Sequence, residues 1–158
     1  MSGTSAQDEA LSDHAYLTRC LALAEQAALR GEVPVGALVV RDGIVLGEGS
    51  NHCEELVDAT AHAELEALRA AFAATRESRL VGATLYCTLE PCFMCAGAAL
   101  HARVARIVFA ARDPKFGACR SLANLAEDPR LNHRCRVHEG LLADASAGLL
   151  RAFFRERR

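Results

Sequence analysis

What this chain lacks bounds what it can be. No apolar run approaches the roughly 20 residues that a membrane-crossing helix needs, so no membrane partner is expected. The opening residues, Met1 to Glu9, have neither a basic n-region nor an apolar h-region and do not read as a secretory signal. The cytoplasm is the expected compartment. Internal repeats, low-complexity tracts and an obvious linker are also missing. The cysteines number seven, an odd count, which in a reducing compartment argues against a disulfide framework. Some of these thiols are expected in the core and some as metal ligands.

What is present is a chain of 158 residues, 51% hydrophobic and 24% charged, with a formal net charge of -2. Compact domains cluster near roughly 100–150 residues, so residues 1–158 are expected to form a single domain, with about residues 1–11 flexible. A chain of this size buries about 68–70% of its unfolded surface and needs no metal merely to fold. The apolar fraction excludes intrinsic disorder.

The near-neutral total hides local asymmetry. Residues 48–66 carry Glu48, Glu54, Glu55, Asp58, Glu64 and Glu66 with no Lys or Arg, whereas residues 103–120 carry Arg103, Arg106, Arg112, Lys115 and Arg120 against Asp113. The last eight residues add Arg151, Arg155, Arg157 and Arg158 against Glu156. Such segments either hold a polyanion or form ordinary solvated surface.

Apolar spacing predicts a helix over 12–30, with Leu17, Leu21, Ala24 and Ala28 on one face, Ser12 as N-cap and Gly31 as the stop. Val35 to Val40 and Ile44 to Leu46 read as strands joined by Asp42-Gly43, a hairpin turn pair. Gly47 and Gly49 are expected to break the second strand, leaving an acidic loop to Asp58. Helices are predicted over 61–74, 92–101 and 143–157, strands over 84–88 and 107–110, and loop over 111–134. Strands alternating with helices after one hairpin give an α/β layered domain with a mixed sheet.

Two short segments carry chemistry: Thr60 to Glu64, containing His62-Ala63-Glu64, and Thr88 to Cys95, containing Pro91-Cys92-Phe93-Met94-Cys95. Cys92 and Cys95 lie at i and i+3, on one side of a helix's first turn. The positive helix end favours the thiolate, the form that binds metal. Two thiolates and an imidazole suit Zn²⁺, and three protein ligands leave the fourth tetrahedral position for water, the catalytic arrangement. His62 and Glu64 are two apart and do not share a face of a regular helix, so they are expected at a helix start. Glu64 then takes a proton from water and passes it to substrate. H-x-E with P-C-x-x-C is the signature of zinc deaminases. Cys20 and Cys87 are expected in the core, Cys53, Cys119 and Cys135 have no partner at ligand spacing, and His101 and His133 are expected to be structural or peripheral.

The sequence resembles the tRNA-specific adenosine deaminases of bacteria, in the cytidine deaminase superfamily. The resemblance rests on Glu32-Val33-Pro34-Val35-Gly36-Ala37, Ala61-His62-Ala63-Glu64, Thr88 to Ala98 and His101-Ala102-Arg103. It extends through Val108 to Lys115, Asn132-His133 and Phe153-Phe154-Arg155, so it covers nearly the whole chain from about residue 14. It implies a three-layer α/β/α cytidine-deaminase-like fold with a five-stranded mixed sheet, commonly a homodimer. The implied activity is hydrolytic conversion of adenosine to inosine at the wobble position of a tRNA anticodon, usually an arginine tRNA. By motif match His62, Cys92 and Cys95 hold one Zn²⁺ per subunit, Glu64 shuttles protons to the adenine ring nitrogen and the leaving amine, and Asn51 contacts the target nucleoside. Val33 and Pro34 are candidates for an apolar wall against the flipped base. Arg112, Asp113, Lys115, Phe153, Arg155, Arg157 and Arg158 are candidates for contacts to the anticodon stem-loop, with Phe153 or Phe154 stacking on a base.

The chain departs from the family pattern in places. Ala59 stands where Pro is common, residues 52–57 are acidic and expected to face away from the RNA, and the chain ends at Arg158 without the longer basic tail some members carry. The zinc motif alone is shared with free-nucleoside, guanine and riboflavin-pathway deaminases. Two rivals stay open: a free-base or nucleoside deaminase, which has the same metal but no basic rim, and a non-catalytic zinc- or RNA-binding module, for which Glu64 is dispensable.

Overall fold

The computed structural model describes residue 3 and residues 5–157. In chain order these form α1 (Ala6–Leu29), β1 (Gly36–Arg41), β2 (Ile44–Ser50), α2 (Cys53–Leu56), α3 (Ala63–Thr75), β3 (Thr84–Leu89), α4 (Phe93–His101), β4 (Arg106–Ala111), β5 (Arg136–Glu139) and α5 (Ala143–Glu156). The five strands make one sheet in the order β2-β1-β3-β4-β5. β1 pairs antiparallel with β2 and β3, and β4 pairs parallel with β3 and β5, so the sheet is mixed.

Both faces of the sheet are covered. Leu38 and Val40 of β1, Tyr86 of β3 and Val108 of β4 pack against Leu17 and Cys20 of α1. The alternate residues Ala37, Val39, Leu85, Cys87, Ile107 and Phe109 pack against Ala63, Ala67, Leu68 and Ala71 of α3 and Ala96 and Ala99 of α4. Side chains on successive strand residues point to opposite faces, which is why β1, β3 and β4 are almost continuously apolar. The result is three layers, α/β/α.

The structure corrects the sequence-based expectations at both ends of the hairpin region. α1 starts at Ala6 rather than near residue 12, so residues 6–11 of the stretch expected to be flexible are helical. The cap is Ser5, whose Oγ accepts from the Asp8 backbone N–H at 3.1 Å, and Ser12 is an exposed residue within the helix. Residues 1, 2 and 4 of that stretch lie outside the described residues. β2 runs through Gly47 and Gly49 to Ser50 instead of breaking there. A Cβ on Gly47 would collide with the Ala67 carbonyl, and one on Gly49 with the Ala63 carbonyl. These glycines let the strand lie directly on the α3 backbone rather than ending it. Gly49→Ala is therefore expected to lower Tm by roughly 4–8 °C, about 2 kcal/mol of overpacking, measured by thermal unfolding. An unchanged Tm would overturn the close-approach argument.

The Asp42-Gly43 turn is as expected, with φ of 53° and 74°. β5 had no strand signal in the sequence, because only Val137 of its four residues is buried. Arg106 is not part of a basic rim. It is buried, with Nη2 2.7 Å from Asp13 Oδ2 and Nε 2.9 Å from Glu9, and Tyr86 Oη donates to Asp13 at 2.6 Å. This cluster locks α1 onto β3 and β4.

Candidate active site

The site lies where the carboxyl end of β3 meets the amino ends of α3 and α4. His62 is the N-cap of α3, in extended conformation (φ -72°, ψ 152°), and Cys92 is the N-cap of α4 (φ -73°, ψ 176°). Cys95 follows in the first turn of α4. His62 Nδ1 lies 3.6 Å from Cys92 Sγ and 3.5 Å from Cys95 Sγ. Among the described residues these three form the one His/Cys/Asp/Glu group of metal-binding spacing, with donor atoms within 4.8 Å of one another.

The capping position answers how His62 and Glu64 can both reach the site. His62 stands outside the helix and turns its ring toward the two sulfurs, while Glu64, in the first turn of α3, is 4% exposed. Burial pushes the Glu64 carboxyl up to about 7, against the nearby His62 charge and the Cys95 contact. The neighbouring Cys95 thiol takes Cys92 down to about 4 despite burial, aided by His62, and the Cys92 thiol with burial drives Cys95 upward. The Cys92 contact raises His62. A thiolate at the positive ends of two helices is matched in charge to a cation. Two sulfurs and one imidazole nitrogen, with no fourth protein donor among the described residues, fit Zn²⁺ with a corner open.

Asn51 sits at the mouth, half-buried. Its Oδ1 accepts from the Ala63 N–H at 2.9 Å, which caps α3 from outside and leaves the amide Nδ2 to point elsewhere. Arg30 holds the Asn51 carbonyl at 3.2 Å and the Ser50 hydroxyl at 2.8 Å. Pro34 is buried and Val33 half-buried, packed on the core that carries Ala63.

Glu90, within the Thr88 to Cys95 segment, has a part that the motif does not reveal. Its carboxylate is buried and accepts from the backbone N–H of Asp113 (3.0 Å), Cys119 (3.0 Å), Arg120 (2.7 Å) and Ser121 (2.8 Å), and from the Ser121 hydroxyl. Burial raises this carboxyl, but the bonds from Ser121, Asp113 and Arg120 outweigh it and hold it below the usual glutamate value. One side chain thus gathers the loop over 113–121, two residues before Cys92. Glu32 does the same for α2, accepting from the N–H groups of Glu54 and Glu55 at 2.9 Å each. A buried carboxylate that serves backbone amides of a distant loop leaves no periodic signal; a lone acid between a strand and a Pro-Cys pair was the only hint.

The expected RNA contacts fare unevenly. Phe153 is buried at 6% exposure and covered by the Arg157 guanidinium, 3.6 Å from the ring centroid, so it is a core residue; Phe154 is the exposed ring. Arg155 is exposed on α5 and Arg157 at its C-cap, and Arg158 lies outside the described residues. The basic segment is largely neutralised: Arg112 pairs with Glu139 at 2.7 Å, and Arg120 pairs with Glu127 at 2.7 Å and Glu139 at 3.3 Å. Lys115 remains exposed. Asp113 uses Oδ1 to accept from the Lys115 and Phe116 N–H groups, shaping its own turn rather than reaching outward. Cys119 and Cys135 are buried, with burial pushing both thiols up to about 12, and Cys20 and Cys87 are core residues, as expected. His133 Nε2 bonds the Val104 carbonyl at 2.7 Å, a structural role.

A family model of MafB19-like deaminases matches residues 11–158. The chain is 45% identical over 143 residues to the tRNA-specific adenosine deaminase of Agrobacterium fabrum, covering 90% of this chain and 94% of that protein. Among solved structures, one from a study of A-to-I editing by tRNA:A34 deaminases at the wobble position of transfer RNA superposes with a TM-score of 0.82 at 43% identity, covering 85% of this chain and 98% of the other. A guanine deaminase from Nitrosomonas europaea superposes with a TM-score of 0.78 at 27% identity, covering 89% of this chain and 83% of the other. The layered fold is thus that of the cytidine-deaminase-like enzymes.

Proposed function

Since the chain belongs to the tRNA-specific adenosine deaminases, we propose that it hydrolyses the wobble adenosine of a tRNA anticodon to inosine, in an arginine tRNA, with zinc held by His62, Cys92 and Cys95 and with Glu64 as the proton shuttle. That it is a tRNA adenosine deaminase follows from the family. The observation that carries the finer reading is the convergence of His62 Nδ1 and two sulfurs at the start of the helix that buries the Glu64 carboxyl.

When bound, zinc supplies the Lewis acidity that makes water nucleophilic near neutral pH. Glu64 takes the proton that water gives up as it adds to C6 of adenine and delivers it to N1. It then takes the second proton, from the new C6 hydroxyl, and gives it to the 6-amino group, which leaves as ammonia as the C6 carbonyl forms. Adenosine and water thus become inosine and ammonia. Asn51, anchored through Oδ1, has its Nδ2 free to donate to the nucleoside, and Val33 and Pro34 supply the apolar wall. The target base must leave its stack, which costs least in a single-stranded loop. Lys115, Arg155 and Arg157 are the cations we assign to the RNA backbone. The working unit is proposed to be a cytoplasmic homodimer, a state that sedimentation of the purified protein measures.

Inosine mapping after incubation of the zinc-loaded protein with total tRNA tests the reading: conversion is expected at the first anticodon position and nowhere else. Fast turnover of free guanine, cytidine or adenosine with no inosine in tRNA would replace it with a small-molecule deaminase. No helix among the described residues is long and apolar enough to cross a membrane.

A further inference from the structure

The chain has six Phe, two Tyr and no Trp. Phe109, Tyr86 and Phe153 are core residues, and Phe72 and Tyr16 are half-buried. Three rings are exposed: Phe154 on α5 at 49%, Phe93 at 49% and Phe116 at 66%. Phe93 and Phe116 are not scattered. Cys92 and Gly117 form an isolated antiparallel bridge, and the Ala118 N–H donates to the Pro91 carbonyl at 2.9 Å. In an antiparallel pair the next residues along the ladder are cross-strand neighbours. Here the bridge is a single pair, with Phe93 opening α4 directly after Cys92 and Phe116 directly preceding Gly117, so the two exposed rings are borne by the residues on either side of one backbone bridge that includes a proposed zinc ligand.

Phe116 is also held in place despite its exposure. Its N–H donates to Asp113 Oδ1 at 3.3 Å, the Gly117 N–H donates to the Asp113 carbonyl at 2.8 Å, and the turn is anchored at both ends by Glu90. An apolar ring kept in water on a rigid backbone contributes little to folding but is already ordered for a ligand, which lowers the cost of binding. Lys115, exposed and adjacent, supplies a positive charge for a phosphate.

From this we infer that Phe93 and Phe116 form a stacking platform for the unpaired nucleotides flanking the target adenosine. The inference rests on the proposed RNA-loop substrate. A nucleotide that puts its base into the metal site cannot remain stacked on its neighbours, and those neighbours then need new π-faces beside the mouth. Stacking on Phe accepts any base, so the platform contributes affinity and register rather than base identity. It differs from a contact by Phe153, whose ring is already occupied by the core and by Arg157.

The test uses the zinc-loaded full chain and an anticodon stem-loop in three forms: intact, with an abasic site 5′ to the target, and with one 3′ to it. Phe116→Ala and Phe93→Ala are expected to raise KM on the intact loop about tenfold with kcat within about twofold of wild type, and Phe116→Tyr is expected to restore the wild-type KM. One of the abasic substrates is expected to raise KM for wild type by a similar factor and to add nothing in the alanine variant, since the lost ring and the lost base belong to one contact. Thermal melting and zinc content are expected to stay at wild-type values because both rings are exposed. The inference is overturned if KM is unchanged in both variants, or if the variant and abasic losses multiply. It is also overturned if KM follows a shift from dimer to monomer in sedimentation, which would give the rings to a second copy of the chain. Wild-type protein making no inosine in the intact loop would instead overturn the reading of the site itself.

Discussion

Glu64→Gln is expected to lower kcat for inosine formation by about 10³-fold or more, in line with the 10²–10⁴ that a positioned acid–base group contributes, while zinc content and fold are retained. The amide has the shape of the carboxyl but can neither accept the proton from water nor hand it to the ring nitrogen. A variant keeping a tenth of the activity would remove Glu64 from the mechanism and favour a non-catalytic binding module. The same substitution has a second, opposite-signed effect on the metal-free protein. Burial lifts the Glu64 carboxyl from 4.5 to about 7, so between those values the folded state binds more protons than the unfolded state. Stability therefore falls as pH rises through that window. Above pH 7 the buried charge costs about 3 kcal/mol, which the uncharged amide does not incur. Metal-free Glu64→Gln is expected to melt higher than metal-free wild type at pH 8, with the difference vanishing below about pH 4.5. Equal melting at both pH values would contradict a buried carboxylate whose desolvation its neighbours only partly offset. The least active variant would thus be the more stable one, as happens where function keeps a charge in an unfavourable place.

Glu90→Ala is expected to destabilise the protein by about 3–5 kcal/mol, because four backbone N–H groups and a hydroxyl lose a charged acceptor together. Urea unfolding measures this. Glu90→Gln is expected to be milder but still costly, since its NH₂ would face N–H donors. Gly117→Ala should resemble it, because a Cβ there would run into the Glu90 carboxyl. The activity loss expected is about 100-fold in kcat/KM, because the loop carries Lys115 and Phe116 and is bridged to Cys92 through Gly117. Glu90 is held below its usual value of 4.5, so its contribution is present above that pH and is lost as acid protonates it. Unfolding of wild type below about pH 4.5 is expected to be steeper than that of Glu90→Gln. Wild-type stability of Glu90→Ala would show that the loop is held by something else.

The zinc-type donor set was legible from residue order because each of its two halves is a short contiguous motif, although some thirty residues separate them. Cys92 and Cys95 are one helical turn apart, and the His62/Glu64 spacing fits only a helix start, where the structure has it. The hairpin was legible from Asp42-Gly43, and the buried strands from their continuous apolar runs. The early start of α1 and the length of β2 were not. Ser5 outcompetes Ser12 because the helix-favouring Ala6 to Leu11 lie between them, and the glycines of β2 mark a close approach to α3, information that belongs to the partner element.

Residue order by itself determined the His/Cys/Cys donor set proposed for zinc, the α/β class and the family, since each is written in contiguous motifs or in local periodicity. Tertiary structure alone decided which charges and rings are available. It drew Arg106 into the core with Asp13, paired Arg112 and Arg120 with Glu139, buried Phe153, and bridged the backbones that carry Phe93 and Phe116 at Cys92 and Gly117. A charge or an aromatic ring reads the same in the chain whether a partner covers it or not. That partner is brought by packing between segments far apart in sequence, and no local spacing records it.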